Sequence, residues 1–183
     1  MPTRRRRPLP AKPFTRIARD LGIPADYAAA RGLMPQREAV RLVSIGRAPD
    51  DGKILRLTPR AAAAWKKMRE AAAHDGIVLL PLSGFRSVAR QITIIRMKLA
   101  AGQRIADILR LAAAPGFSEH HTGRALDIGS PEHCELDVHF ARTAAFRWLR
   151  RHADGFGFQL SYPRDNRHGI GYEPWHWCWR RQP

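Results

Sequence analysis

The run Ser118-Glu-His-His-Thr-Gly-Arg-Ala-Leu-Asp127, read together with Glu173-Pro-Trp-His-Trp177, decides the fold class and the chemistry of this 183-residue chain. His120 and Asp127 lie seven positions apart, too far to share one helical face without a turn, and Gly123 between them permits one. Arg124 to Ile128 then reads as a short strand that presents Asp127 from a sheet. In the second stretch Pro174 excludes a helix interior and fixes its φ at about −65°. Glu173 therefore falls in a bend that opens a strand running from Trp175. A regular strand sends residues three apart to opposite faces, so Glu173 and His176 converge only through that bend or a bulge. Two histidines, an aspartate and a glutamate are the minimum equipment of a hydrolytic zinc site. Catalytic zinc keeps three protein ligands and a water whose pKa falls to about 7, and an unliganded carboxylate can serve as general base. His120, Asp127 and His176 are accordingly the expected Zn2+ ligands, and Glu173 the expected base. Helical zinc motifs of the His-x-x-Glu type are absent.

Other readings stay open for single residues. His121 adjoins His120 and is the alternative ligand. Cys178 follows His176 by two positions, shares its face in a strand, and is an alternative to Asp127. Asp127 could instead cap a turn, and Glu173 could be an ordinary solvated carboxylate. His74, His133, His139, His152 and His168 are read as surface or core histidines. Cys134 and Cys178 do not make a disulfide framework in a chain of this size and are expected to be reduced.

A third element is Ser83-Gly-Phe-Arg-Ser87, followed by Gln91. Ile77 to Leu82 reads as a buried strand, and Ser-Gly marks a turn into a helix beginning near Ser87. An arginine at such a junction is placed to pair with an anion, since its planar fork binds carboxylates bidentately. With these elements in order, residues 50–180 resemble the D-alanyl-D-alanine carboxypeptidases of VanY type, zinc peptidases of bacterial cell-wall peptides. The resemblance rests on Gly84, Phe85, Arg86, Ser87 and Gln91; on Ser118, His120, Gly123, Ala125 and Asp127; on Trp148-Leu149, Gly157-Phe158 and Ser161-Tyr162-Pro163; and on Tyr172 to His176.

The resemblance implies zinc held by His120, Asp127 and His176, Glu173 as base, and substrate held by Arg86, Ser118 and Gln91. The implied reaction is hydrolysis of the peptide bond before the C-terminal D-amino acid of a peptidoglycan stem peptide. Arg86 would pair with the terminal carboxylate or stabilise the oxyanion. Trp175 and Trp177 would wall the cleft or pack in the core. His121 departs from the family pattern, which usually carries Gln there. One rival is a phage-lysin-like endopeptidase that cuts within the stem peptide. Another is a non-catalytic, zinc-stabilised binding module, against which the presence of Glu173 argues.

Length suits one compact domain with a full-sized core. No run of 18 apolar residues occurs, so no membrane span is expected. Arg4 to Arg7 resemble a signal n-region, but no apolar h-region follows. The expectation is therefore no readable export signal: cytoplasmic as written, acting on the wall if exported or released by another route. The formal net charge is +16, with 27 of 32 basic residues arginine. Such a surface attracts polyanions, nucleic acid or the anionic envelope polymers. The basic residues are scattered without a zinc-finger, helix-turn-helix or RNP pattern, which argues against specific nucleic-acid readout. A GC-rich coding bias accounts equally well for arginine over lysine.

Residues 1–50 form a basic, Pro/Arg-rich extension, wrapped on the domain or partly disordered, with at most short helices around 14–21 and 25–31. The zinc peptidase domain is expected over 51–183. Thr58-Pro59 starts a helix with Ala61, Trp65, Met68 and Ala72 on one face. Val88, Ile92, Ile95 and Leu99 mark a second helix, Ile105, Ile108 and Leu109 a third, and Phe140, Ala144 and Trp148 a fourth. Strands at 77–82, 124–129, 157–161 and 170–178 would form one sheet. Helices mixed with short strands in no βαβ rhythm predict an α+β fold, a small and mainly antiparallel sheet with flanking helices around a zinc cleft.

Overall fold

A computed structural model describes residues 11–180, with side chains from residue 16 onward. The arginines at 4–7 lie outside the described residues. In chain order the elements are α1 (Ala11–Asp20), α2 (Tyr27–Ala30), β1 (Val43–Arg47), β2 (Ile54–Leu57), α3 (Pro59–His74), β3 (Leu80–Ser83), α4 (Val88–Ala100), α5 (Ile105–Leu111), β4 (Ala125–Gly129), α6 (Ala144–His152), β5 (Phe158–Leu160) and β6 (His176–Trp179). Short 3-10 turns at Glu119–Thr122, Val138–Arg142 and Ala153–Phe156 complete it.

The principal sheet has the order β3-β4-β6-β5 and every pair is antiparallel. Its centre is β4, whose five residues are all buried. Because side chains alternate across a strand, Leu126 and Ile128 enter the main core while Asp127 points to the other face. That core is built from Trp65, Met68 and Ala72 of α3, Trp148 and Leu149 of α6, and Phe158 and Trp177 of β5 and β6. Burying each large apolar side chain contributes about 1.5–3 kcal/mol, so this layer fixes the strand whose opposite face carries Asp127.

Local sequence sets the ends of the helices. Pro59 occupies the first turn of α3, where its missing N–H costs nothing. Ser87 Oγ accepts the Arg90 N–H at 3.1 Å, so α4 begins immediately after the Phe85-Arg86 turn. Thr143 Oγ1 accepts the Phe146 N–H at 3.1 Å and starts α6. The expected fourth helix is thus two pieces: Phe140 belongs to the preceding 3-10 turn, and the cap at Thr143 separates the two.

Two strand expectations shift, and two strands are new. The strand after α3 begins at Leu80, because the chain is still turning out of the helix at Gly76, and Val78 is 53% exposed. The last strand begins at His176; residues 170–175 approach it without strand geometry. Strands β1 and β2 were not among the expected elements; they form a separate two-stranded antiparallel sheet, so the segment before residue 50 holds, besides α1 and α2, the strand β1. The β1 sequence Val-Ser-Ile-Gly-Arg is exposed at all but Ile45, so it has no buried face to leave a pattern. The N-terminal part also packs. Leu21, Ile23 and Tyr27 join Ile95, Ile108 and Leu109 in a second apolar cluster, and Tyr27 Oη accepts the Ala114 N–H at 3.1 Å.

Candidate active-site cleft

His120 sits in the 3-10 turn Glu119–Thr122, which Gly123 closes at φ 61°. A Cβ on Gly123 would lie 2.8 Å from Leu42 Cδ2 and 3.2 Å from Ala39 Cβ, so both conformation and space demand glycine. The turn is locked to the Ser83–Ser87 segment by three bonds. His120 Nδ1 lies 2.7 Å from the Gly84 carbonyl, the Arg86 N–H donates to the His120 carbonyl at 3.1 Å, and His121 Nδ1 lies 2.6 Å from the Arg86 carbonyl. Gly84 itself is pressed against β2, where a Cβ would meet the Arg56 carbonyl at 2.7 Å.

Asp127 is in register with His176 across the β4–β6 pair, which places their side chains together on the sheet face away from the main core. The Glu173-Pro174-Trp175 bend supplies the last group. The His176 N–H donates back to the Glu173 carbonyl at 3.1 Å, and the Glu173 N–H donates to Tyr162 at 3.1 Å. This tight return lets side chains three apart converge: Glu173 Oε2 is 3.7 Å from His176 Nδ1.

The result is a buried triad. His120 Nε2 is 3.2 Å from Asp127 Oδ2, and His176 Nδ1 is 3.1 Å from Asp127 Oδ1. The two imidazoles meet edge to face at 4.9 Å. One ligand atom from each of His120, Asp127 and His176 lies within 4.8 Å of the others, the one such group among the described residues. The backbone carbonyl of Gly84 accepts from Nδ1 of His120 and thereby leaves Nε2 as the lone-pair donor. Two imidazole nitrogens and one carboxylate form an N/O set that suits a borderline divalent cation.

Electrostatics separate the roles of the carboxyl groups. Burial opposes the charge on Asp127, but His120 and His176 hold it far below the ordinary carboxylate range. Glu173 has fewer partners, and burial pushes it up to about 7 despite the pull of His176. Burial lowers His120, against the pull of Asp127. His176 is raised to about 10: burial works against its charge, but hydrogen bonds to Asp127 and Glu119 outweigh it.

A cleft of about 300 Å³ opens on this face, lined by His120, Asp127, His176, Glu173, Arg86 and Ser118, with Tyr162, Trp175 and Lys98 around them. Arg86 donates from Nη1 to Gln91 Oε1 at 3.0 Å and from Nη2 to Ser83 Oγ at 3.2 Å, and lies 4.0 Å from Asp127. Gln91 is fully buried and outside the cleft lining, so the expected substrate contact becomes a supporting one. Its amide donates to the Ala113 carbonyl at 2.8 Å and its oxygen holds Arg86. His121 lies outside the metal group: its Nδ1 faces the Arg86 carbonyl and its Nε2 accepts the Gly116 N–H at 3.1 Å. Cys178 is buried and outside the metal group, and both cysteines are free. Trp175 lines the cleft while Trp177 packs in the core, donating to the Pro174 carbonyl at 2.9 Å. Tyr162 was not anticipated; its ring centroid lies 4.9 Å from that of His176. Glu119, also unanticipated, reaches His176 from the far side, with Oε2 at 3.1 Å from Nε2. Neither carries a spacing signal, because each meets His176 only through the tertiary fold.

A buried group of side chains able to hold a metal, a neighbouring carboxyl group of raised pKa and a guanidinium in one cleft match the arrangement used by metal-dependent hydrolases. Residues 54–182 match the VanY family, described as D-alanyl-D-alanine carboxypeptidase, and the chain belongs to that family. YodJ of Bacillus subtilis (strain 168) is 40% identical over 121 residues, which cover 63% of this chain and 43% of YodJ. The chain spans about half the length of the curated relatives it matches. Among solved structures, the LdcB LD-carboxypeptidase, whose structure addresses peptidoglycan recognition, aligns with TM-score 0.70 and 33% identity over 79% of this chain and 70% of its own. A variant of the D,D-pentapeptidase VanY from the VanB-type vancomycin resistance cassette, solved with Zn(II), aligns with TM-score 0.61 and 27% identity over 80% of this chain and 82% of its own. VanYB solved with D-alanine-D-alanine gives the same score and identity.

Proposed function

We propose that the protein is a zinc-dependent carboxypeptidase that hydrolyses the bond before the C-terminal D-amino acid of peptidoglycan stem peptides. The observation that carries this reading is the convergence of His120, Asp127, His176, Glu173 and Arg86 on one cleft. The donor set fits zinc, and His120, Asp127 and His176 would hold it. When bound, zinc supplies Lewis acidity, polarising a carbonyl and lowering the pKa of a water. Glu173, within 3.7 Å of His176 and poised near neutrality, accepts the proton of the attacking water and returns it to the leaving amine. Trp175 and Tyr162, both nearly buried, limit water around that transfer.

Arg86 supports the exo-acting form of the reaction. Two of the five N–H donors of a guanidinium are committed to Gln91 and Ser83, which fix its plane and leave the remaining donors for a carboxylate. Ser118, also in the lining, is a further donor to the same group. The ligands in the names of related structures, D-alanine-D-alanine and peptidoglycan, support a cell-wall peptide as substrate.

The test is incubation of purified, zinc-loaded protein with defined stem peptides of three to five residues, followed by mass spectrometry. Loss of one C-terminal residue is expected, and the lengths accepted tell whether the bond cut lies between two D-residues or between an L- and a D-residue. Internal fragments would replace this reading with an endopeptidase.

A further inference from the structure

We propose that Glu119 is a positioning residue of the metal centre, which fixes the ring of His176 so that Nδ1 is the nitrogen offered to the metal. This rests on the metal reading of His120, Asp127 and His176. Glu119 lies beside the ligand His120 in sequence, yet its side chain serves the other histidine, 57 residues away. Its Oε2 is 3.1 Å from His176 Nε2 and also accepts the Ser161 hydroxyl at 2.5 Å. Its Oε1 pairs with Arg180 Nη2. The side chain is only 11% exposed, so the anion has been taken out of water and every oxygen is given a partner.

An ion pair with Arg180 alone would account for burial but not for the aim of Oε2. An ionised carboxylate only accepts hydrogen bonds, so the hydrogen between it and the ring resides on Nε2. Nδ1 faces Asp127 Oδ1 at 3.1 Å and carries a hydrogen toward it in the metal-free protein; when a metal displaces that hydrogen, the one on Nε2 stays with Glu119 and Nδ1 is the nitrogen left to bind. Gly84 performs the mirror task for His120 by holding Nδ1 and freeing Nε2. The two histidines therefore offer opposite nitrogens, and each choice is enforced by the partner of the other nitrogen. Ser161 follows β5 and Arg180 follows β6, so the support of the ligand comes from the ends of two paired strands of the sheet. Partners of this kind, hydrogen-bonded behind a ligand, typically contribute about 10–100-fold in metal affinity.

The test is the zinc affinity of metal-free wild type, Glu119→Gln, Glu119→Ala and His176→Ala, by competition with a chromophoric chelator. Far-UV circular dichroism and the melting temperature of each metal-free protein check the fold. Cobalt(II) substitution adds a visible spectrum that reports the ligand field. The expected result is a folded Glu119→Gln protein that binds zinc about 10–100-fold more weakly, with altered cobalt bands. Zinc affinities of both Glu119 variants within twofold of wild type overturn the proposal. So does failure of both to fold, which would make the carboxylate a structural anchor. A wild-type protein that binds no zinc removes the metal reading itself, whereas unaffected Glu119 variants beside a zinc-binding wild type remove only this inference.

Discussion

Amidating the C-terminus of a substrate peptide should lower kcat/KM about ten- to a hundredfold. The side chain of Arg86 is 21% exposed, so its guanidinium is largely withdrawn from water before substrate arrives. Gln91 and Ser83 hold the fork in place, at 3.0 and 3.2 Å, so little entropy remains to be lost when a carboxylate docks. Replacing that carboxylate with a neutral amide removes a charge-assisted hydrogen bond worth about 1.5–3 kcal/mol, and each 1.4 kcal/mol is about a factor of ten. Arg86→Lys should lose part of the same activity on the acid substrate, since an ammonium cannot bond Gln91, Ser83 and a carboxylate in one plane. It should also discriminate less between acid and amide, because the fork that reads the difference is gone. The assay is a pair of progress curves, acid and amide peptide at equal concentration, for wild type and Arg86→Lys by quantitative mass spectrometry. Equal wild-type rates on both peptides would refute the terminal-carboxylate role of Arg86, and the exo-acting reading with it, while leaving a metal hydrolase.

Zinc binding to the metal-free protein at pH 7.5 should release about one proton. His176, raised to about 10 between two carboxylates, must surrender its proton to become a ligand. The proton competes with the metal, so apparent affinity should weaken as pH falls; calorimetry in buffers of different ionisation enthalpy counts the proton, and none released would contradict this. Gly123→Ala should lower stability by at least about 1–2 kcal/mol, seen as a lower denaturation midpoint, because it combines φ 61° with a 2.8 Å approach to Leu42. His121→Gln should keep fold and activity within a few-fold, since an amide can bond both the Gly116 N–H and the Arg86 carbonyl. His121→Leu strands both groups and should destabilise by about 1–3 kcal/mol, measured by chemical denaturation.

The metal group was legible because its geometry is set by residues with strong local constraints. Gly123 is required by a positive φ, Pro174 excludes a helix, and the alternation of β4 sends Asp127 away from Leu126 and Ile128. The same holds for α3, whose Ala61, Trp65, Met68 and Ala72 are all buried on one face. What escaped has no local signature. Strand β1 is largely exposed, and a strand without a buried face shows no period of two. Gln91 was expected to touch substrate only from the family resemblance, and the packing of α4 turns it inward to Ala113. Glu119 looked like any carboxylate in a polar turn, since Ser161, His176 and Arg180 are 42, 57 and 61 positions away.

The central claim is that three residues hold the metal while Glu173 handles the proton, and Glu173→Ala separates those duties in one protein. Metal content and turnover of a defined stem peptide should be measured on the same purified sample. One zinc per chain, as in wild type, is expected, with turnover lower by about 10²–10⁴-fold. Loss of the zinc along with the activity would make Glu173 a ligand, and retention of more than about a tenth of the wild-type rate would mean that another group carries the proton.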